Sequence, residues 1–195
     1  LQFSRDGRIL LTCTPNGFSL VSVPSCEDVI EFRSIEGLNS ALFSPDGGQI
    51  AAGGVDGRLR VFKAPLWDEV VLKNFGAPIK VHTYSPDGQR IAISEELNFE
   101  RRSPAAITIV ETFGGGVVST GTYSGLVPHR VRFTSDGSFY SVFSDDGRAT
   151  GVFSSVTGER VDQNGPSQWL ESSRERLSEL RLDPFFFAAT PSIQP

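Results

Sequence analysis

Apolar and polar positions along this chain alternate in short runs separated by turn residues, and no long helical stripe appears. Arg8–Thr12, Gln49–Gly53 and Ser138–Val142 are each five residues long, the length of a strand. The segments "FSLVSV", "RLRVFK", "AITIVE" and "RATGVF" follow, rich in β-branched and aromatic residues that suit a pleated surface. Further strands are predicted at 28–32, 69–72, 117–122 and 159–162.

The runs repeat. "LQFSRDGRILLTCTPNGFSLVSV", "ALFSPDGGQIAAGGVDGRLRVFK", "HTYSPDGQRIAISEELNFERRSPAAITIVE" and "VRFTSDGSFYSVFSDDGRATGVF" align on an aromatic at Phe3, Phe43, Tyr84 and Phe133. An Asp-Gly follows each aromatic: Asp6-Gly7, Asp46-Gly47, Asp87-Gly88 and Asp136-Gly137. Three units carry a second turn dipeptide ten residues later, at Asn16-Gly17, Asp56-Gly57 and Asp146-Gly147. The Asp tolerates, and the Gly readily supplies, the backbone conformation of a tight turn, and a proline before the Asp presets φ. Each unit therefore reads as a four-stranded antiparallel meander, with boundaries near 1–36, 37–76, 77–125 and 126–162. Residues 163–179 form an inter-unit connection with a candidate amphipathic helix after Pro166, carrying Leu170, Leu177 and Leu180. Residues 180–195 start a candidate fifth unit, in which Pro184 matches the turn proline.

On these residues the chain resembles the WD-repeat family, over roughly 1–162, which implies an all-β fold of β-propeller blades. The third strands end in Val-Phe or Ile-Val instead of the family's Trp-Asp, and its Gly-His before the first strand is missing. Closed propellers hold about 4–8 blades. Four units without any methionine thus lead us to expect a piece of a larger, about seven-bladed ring.

Composition narrows the function. A net charge of −5 disfavours nucleic acid, whose phosphates call for a basic face. No apolar run approaches the ~20 residues of a membrane helix. Cys13 and Cys26 read as free thiols of a reducing, cytoplasmic compartment. His82 and His129 stand too far apart in sequence to suggest a metal site, and His82 reads as a structural histidine of an inner strand. "TFGGGVVSTGTYSG" lacks the lysine and helix of a phosphate loop and reads as a turn between third and fourth strands. Neither a catalytic set nor a cofactor or metal site is expected, and a hydrolase on a propeller scaffold is the distant alternative.

The expected function is a non-enzymatic scaffold presenting rim loops to other proteins. The third unit departs from its siblings by the insertion "SEELNFERRSP", where Phe99, Glu100, Arg101 and Arg102 have the composition of a protein contact. That insertion belongs to the rim of Asp56-Gly57 and Asp146-Gly147, and its plainer reading is a longer solvated loop. The candidate helix likewise either packs on its own propeller or recruits a partner.

A finer resemblance lies in "IAAGGVDGRLRVFKAP". Gly53, Gly54, Asp56, Gly57, Leu59, Arg60, Val61, Phe62 and Pro65 are similar to blade sequence of the ER-membrane guanine-nucleotide exchange factors of the COPII coat. This resemblance implies a small GTPase as partner, the cytosolic face of the ER as location, and membrane attachment only through segments outside this chain. The glycine-cluster exchange loop of that family belongs to its first blade, whereas "GGGVVSTG" falls here in the third unit.

Overall fold

The computed structural model describes residues 1–23, 25, 26, 28–95, 105–123, 128, 130–144 and 149–161. Fifteen strands follow one another along them. The first sheet contains β1 (Gln2–Phe3), β2 (Ile9–Thr14), β3 (Gly17–Ser22) and β4 (Asp28–Ser34). The second contains β5 (Leu38–Phe43), β6 (Gln49–Gly54), β7 (Arg58–Lys63) and β8 (Asp68–Asn74). In the third lie β9 (Ile79–Tyr84), β10 (Arg90–Glu95), β11 (Ala105–Glu111) and β12 (Val117–Tyr123). The fourth has β13 (Arg130–Phe133), β14 (Phe139–Phe143) and β15 (Ala149–Ser154). All pairings are antiparallel between consecutive strands, so each sheet is a meander. This is the all-β architecture of WD-repeat-like propeller blades.

In the fourth unit the strand expected at 159–162 is reduced, among the described residues, to a single bridge between Phe153 and Arg160. Asp146-Gly147, the insertion around Phe99–Arg102, His129 and everything after residue 161 lie outside the described residues.

The repeat fixes register. Phe3 pairs with Leu10, Phe43 with Ile50, Tyr84 with Ile91 and Phe133 with Tyr140, the same offset four times. Packing explains why the second strands β6, β10 and β14 are buried at consecutive positions instead of alternate ones. Sheets stack face to face, so an inner strand is buried on both sides. On β6, Ile50 and Ala52 face the first sheet, beside Leu11, Phe18 and Leu20, while Ala51 faces the third. On β10, Ile91 and Ile93 face the second sheet, and Ala92 packs toward Tyr140 and Val142 of the fourth. Phe18 and Phe62 meet edge to face across the first interface, with ring centroids 4.9 Å apart.

The first strands β5, β9 and β13 are neighbours in space, and polar side chains tie β1 to β5 and β5 to β9. Gln2 Oε1 accepts the Phe43 N–H at 2.8 Å. Asn39 Nδ2 donates to the Ile79 carbonyl at 3.1 Å, and Ser40 Oγ accepts the Val81 N–H at 2.6 Å. Backbone groups that face no strand of their own sheet are thereby satisfied.

Candidate interaction surface

The turn between first and second strands is built the same way in all four sheets. A hydroxyl two residues before the aspartate donates to it: Ser4 to Asp6, Ser44 to Asp46, Ser85 to Asp87 and Thr134 to Asp136, at 2.5–2.6 Å. The same carboxylate oxygen accepts the backbone N–H of Arg8, Gly48, Gln89 or Ser138. The hydroxyl also accepts the N–H of Ile9, Gln49, Arg90 or Phe139. Gly7, Gly47, Gly88 and Gly137 close the turns at φ of 70–76°.

These bonds hold the carboxyls of Asp6 and Asp46 below their ordinary value, chiefly through Ser4 and Ser44. At Asp87 and Asp136 burial pushes the carboxyl up, but the hydroxyl and N–H bonds together outweigh it and the net shift is again downward. The hydroxyl partner is a part of the turn that reasoning from Asp-Gly alone leaves out. Its trace in the sequence is the Ser or Thr that always stands two positions earlier.

An antiparallel meander brings its first and third turns to one end. Here they are bonded together: the N–H of Val23, Ala64, Thr112 and Ser155 reaches the carbonyl of Arg8, Gly48, Gln89 and Ser138 respectively, at 2.8–2.9 Å. Each third-to-fourth-strand connection then turns a large apolar side chain to solvent. Val23 is 40% exposed, Leu66 72%, Phe113 86% and Val156 56%. Gly115 sets the backbone of the Phe113 turn against the Leu72 carbonyl of β8, and Gly158 sets that of the Val156 turn against the Thr120 carbonyl of β12. Both glycines have φ near 70°, so a side chain is doubly excluded there. The triple glycine thus lies in a turn that leans on the neighbouring blade.

At the same end the first strands frame a cleft of about 750 Å³. Phe3, Arg5, Phe43, His82, Tyr84 and Arg130 are among its walls. His82 Nε2 lies 2.8 Å from Ser94 Oγ, which ties it to its own sheet.

The opposite end carries Asp56-Gly57. Arg60 is 8% exposed and directs its guanidinium to Asp56 and Glu69, with Nη1 3.1 Å from Asp56 Oδ1, Nε 2.9 Å from Glu69 Oε1, and Nη2 on Asp56 Oδ2. Arg60 lowers the Asp56 carboxyl in turn. Asp56 is therefore a turn residue that doubles as a counter-ion, a role local spacing does not reveal. Among the described residues no three His, Cys, Asp or Glu side chains gather as metal ligands would, and no helix is long and apolar enough to cross a membrane.

Residues 31–63, from β4 through β7, match the WD40 family, "WD domain, G-beta repeat". Among solved structures the chain is similar to one titled Kuenenia stuttgartiensis Hydrazine Synthase, with a TM-score of 0.67 and 18% identity. That alignment covers 82% of this chain and 46% of the other. At this identity the likeness is one of fold. Comparison with curated proteins gave no match. The chain thus carries a WD40 repeat within a propeller-like stack of sheets.

Proposed function

We propose that these blades act as a non-enzymatic scaffold that docks partner proteins on the end carrying the first and third turns. The supporting observation is that Val23, Leu66, Phe113 and Val156 stand exposed at the four equivalent connections. Large apolar side chains held out on rigid turns are what a protein contact buries. WD40 repeats generally serve protein–protein interaction, which supports the same reading.

The test is capture by cross-linking. Partners held by the wild-type chain are lost from a variant with Val23, Leu66, Phe113 and Val156 changed to Ser, and are kept by Val55→Ser at the opposite end. The reverse pattern moves the docking surface to the other rim. The insertion that the sequence leads us to expect on that rim, with Phe99, Glu100, Arg101 and Arg102, is then the candidate, and deleting residues 97–103 examines it directly.

A small GTPase of the COPII coat as partner is the finer reading, and its support is the sequence resemblance around Gly53–Pro65. Packing against Ile79 and Val81 of the next blade, and against Gly37 of their own, already accounts for the glycine pair. A Cβ on Gly53 would press Ile79 and Val81 at 3.0–3.1 Å, and one on Gly54 would lie 2.5 Å from the Gly37 carbonyl oxygen. Acceleration of nucleotide release from that GTPase is the outcome this reading requires.

A further inference from the structure

The cleft framed by the first strands differs chemically from the rest of the molecule. The chain carries a net charge of −5, yet among the described residues the walls of the cleft include Arg5, Arg130 and His82 and no Asp or Glu. Among the described residues neither arginine belongs to an ion pair, and both are exposed. The turn carboxylates Asp6, Asp46 and Asp87 are engaged by hydroxyls and backbone N–H groups.

Both arginines break the repeat. Pro45, Pro86 and Ser135 hold the place of Arg5 in the sibling turns, and Ser40 and Val81 hold that of Arg130, three residues before the aromatic. Neither turn nor strand geometry calls for a guanidinium there. Phe3, 59% exposed, adds an apolar wall beside them.

From this we infer that the cleft receives a carboxylate-bearing segment of a partner protein, its acidic side chains forked by Arg5 and Arg130 and its apolar residues packed on Phe3. A guanidinium binds a carboxylate through two parallel hydrogen bonds, which gives orientation as well as attraction. The apolar residues exposed at the third-to-fourth-strand connections stand at the same end of the sheets, so the inference deepens the docking reading above and rests on it.

The experiment titrates the full chain with two short fluorescent peptides, one alternating Glu with Phe and the other alternating Gln with Phe, followed by anisotropy. The Glu peptide is expected to bind the wild type and to lose about tenfold or more in affinity on Arg5→Gln/Arg130→Gln, the loss of charge-assisted hydrogen bonds. Arg58→Gln, which removes an exposed arginine at the opposite end, leaves binding unchanged. Equal binding of the Gln peptide, unchanged binding by the double variant, or no binding of the Glu peptide by the wild type overturns the inference. The docking reading is judged separately, by whether the apolar-rim variant loses its cross-linked partners.

Discussion

Arg90 of the third sheet donates from Nη1 to Ser155 Oγ of the fourth at 3.0 Å, across 65 positions of sequence. Ser155 is fully buried, and its hydroxyl proton is shared between the carbonyls of Gly137 and Ser138, at 2.6 and 3.0 Å. One hydroxyl therefore joins a neighbouring blade to the turn of its own.

Removing it leaves both sides unpaired. Ser155→Ala should lower stability by about 1–3 kcal/mol, because a buried carbonyl and a charged donor lose their partner together. Urea unfolding measures this. Arg90→Ala in the Ser155→Ala background should then add less than it does alone, since the pair is already broken. Fully additive losses would mean that the two residues act independently.

The turn aspartates set a pH dependence. Asp6, Asp46, Asp56, Asp87 and Asp136 are all lowered in the folded chain from an ordinary value of 3.8. A carboxyl with a depressed folded pKa contributes its stability above the unfolded value and loses it as pH falls through the folded one. The urea midpoint should hold down to roughly pH 5 and fall steeply below about pH 4. Replacing Asp46, Asp87 and Asp136 with Asn should flatten that fall. An identical slope in wild type and variant would exclude these turns as its source.

Two glycines separate conformational strain from steric exclusion. Gly47 has φ of 76°, and a methyl on its Cα would meet nothing within 4 Å. Gly47→Ala should therefore cost about 1 kcal/mol, from backbone conformation alone. Gly54 faces the Gly37 carbonyl oxygen across the blade, a backbone atom that cannot swing away. Gly54→Ala should cost more, toward the upper end of the ~1–3 kcal/mol of overpacking. Thermal unfolding of both variants ranks the two effects.

Arg60 is the buried member of an ion cluster whose carboxylate partners remain partly in water, with side-chain exposures of 32% for Asp56 and 45% for Glu69. Solvent screening holds the expected loss on Arg60→Ala to about 1–2 kcal/mol. Part of the deficit should vanish in high salt, since screening also relieves the repulsion left between Asp56 and Glu69. A loss insensitive to salt would assign the effect to packing of the arginine stem.

The turns and register are legible in the sequence because their chemistry is local. Ser44, Asp46 and Gly47 carry within four residues everything their turn requires, and Phe43 and its counterparts keep one offset to their partners. Blade architecture follows from repetition of that unit. What spacing cannot supply are contacts with other strands, in the same blade or the next. Gly53 and Gly54 are surplus to turn chemistry, and their reason lies in Ile79, Val81 and Gly37 packed against them. Arg60 shows its role only with Glu69 on the next strand, and Ser155 only with Arg90 on another blade. The exposed residues at the connections are equally silent, because Leu66 and Phe113 read as ordinary apolar residues until their solvent exposure is known.

The side chains of Gln2, Asn39 and Ser40 have a consequence beyond joining one first strand to the next. An innermost strand with open N–H and C=O groups is a template for any extended chain that drifts past, whether from another molecule or from a misfolded copy. By lodging an amide or a hydroxyl on Phe43, Ile79 and Val81, the chain withdraws those hydrogen-bonding groups from foreign strands. Gln2→Ala or Ser40→Ala would thus show itself less in melting temperature than in a growing tendency to aggregate with concentration.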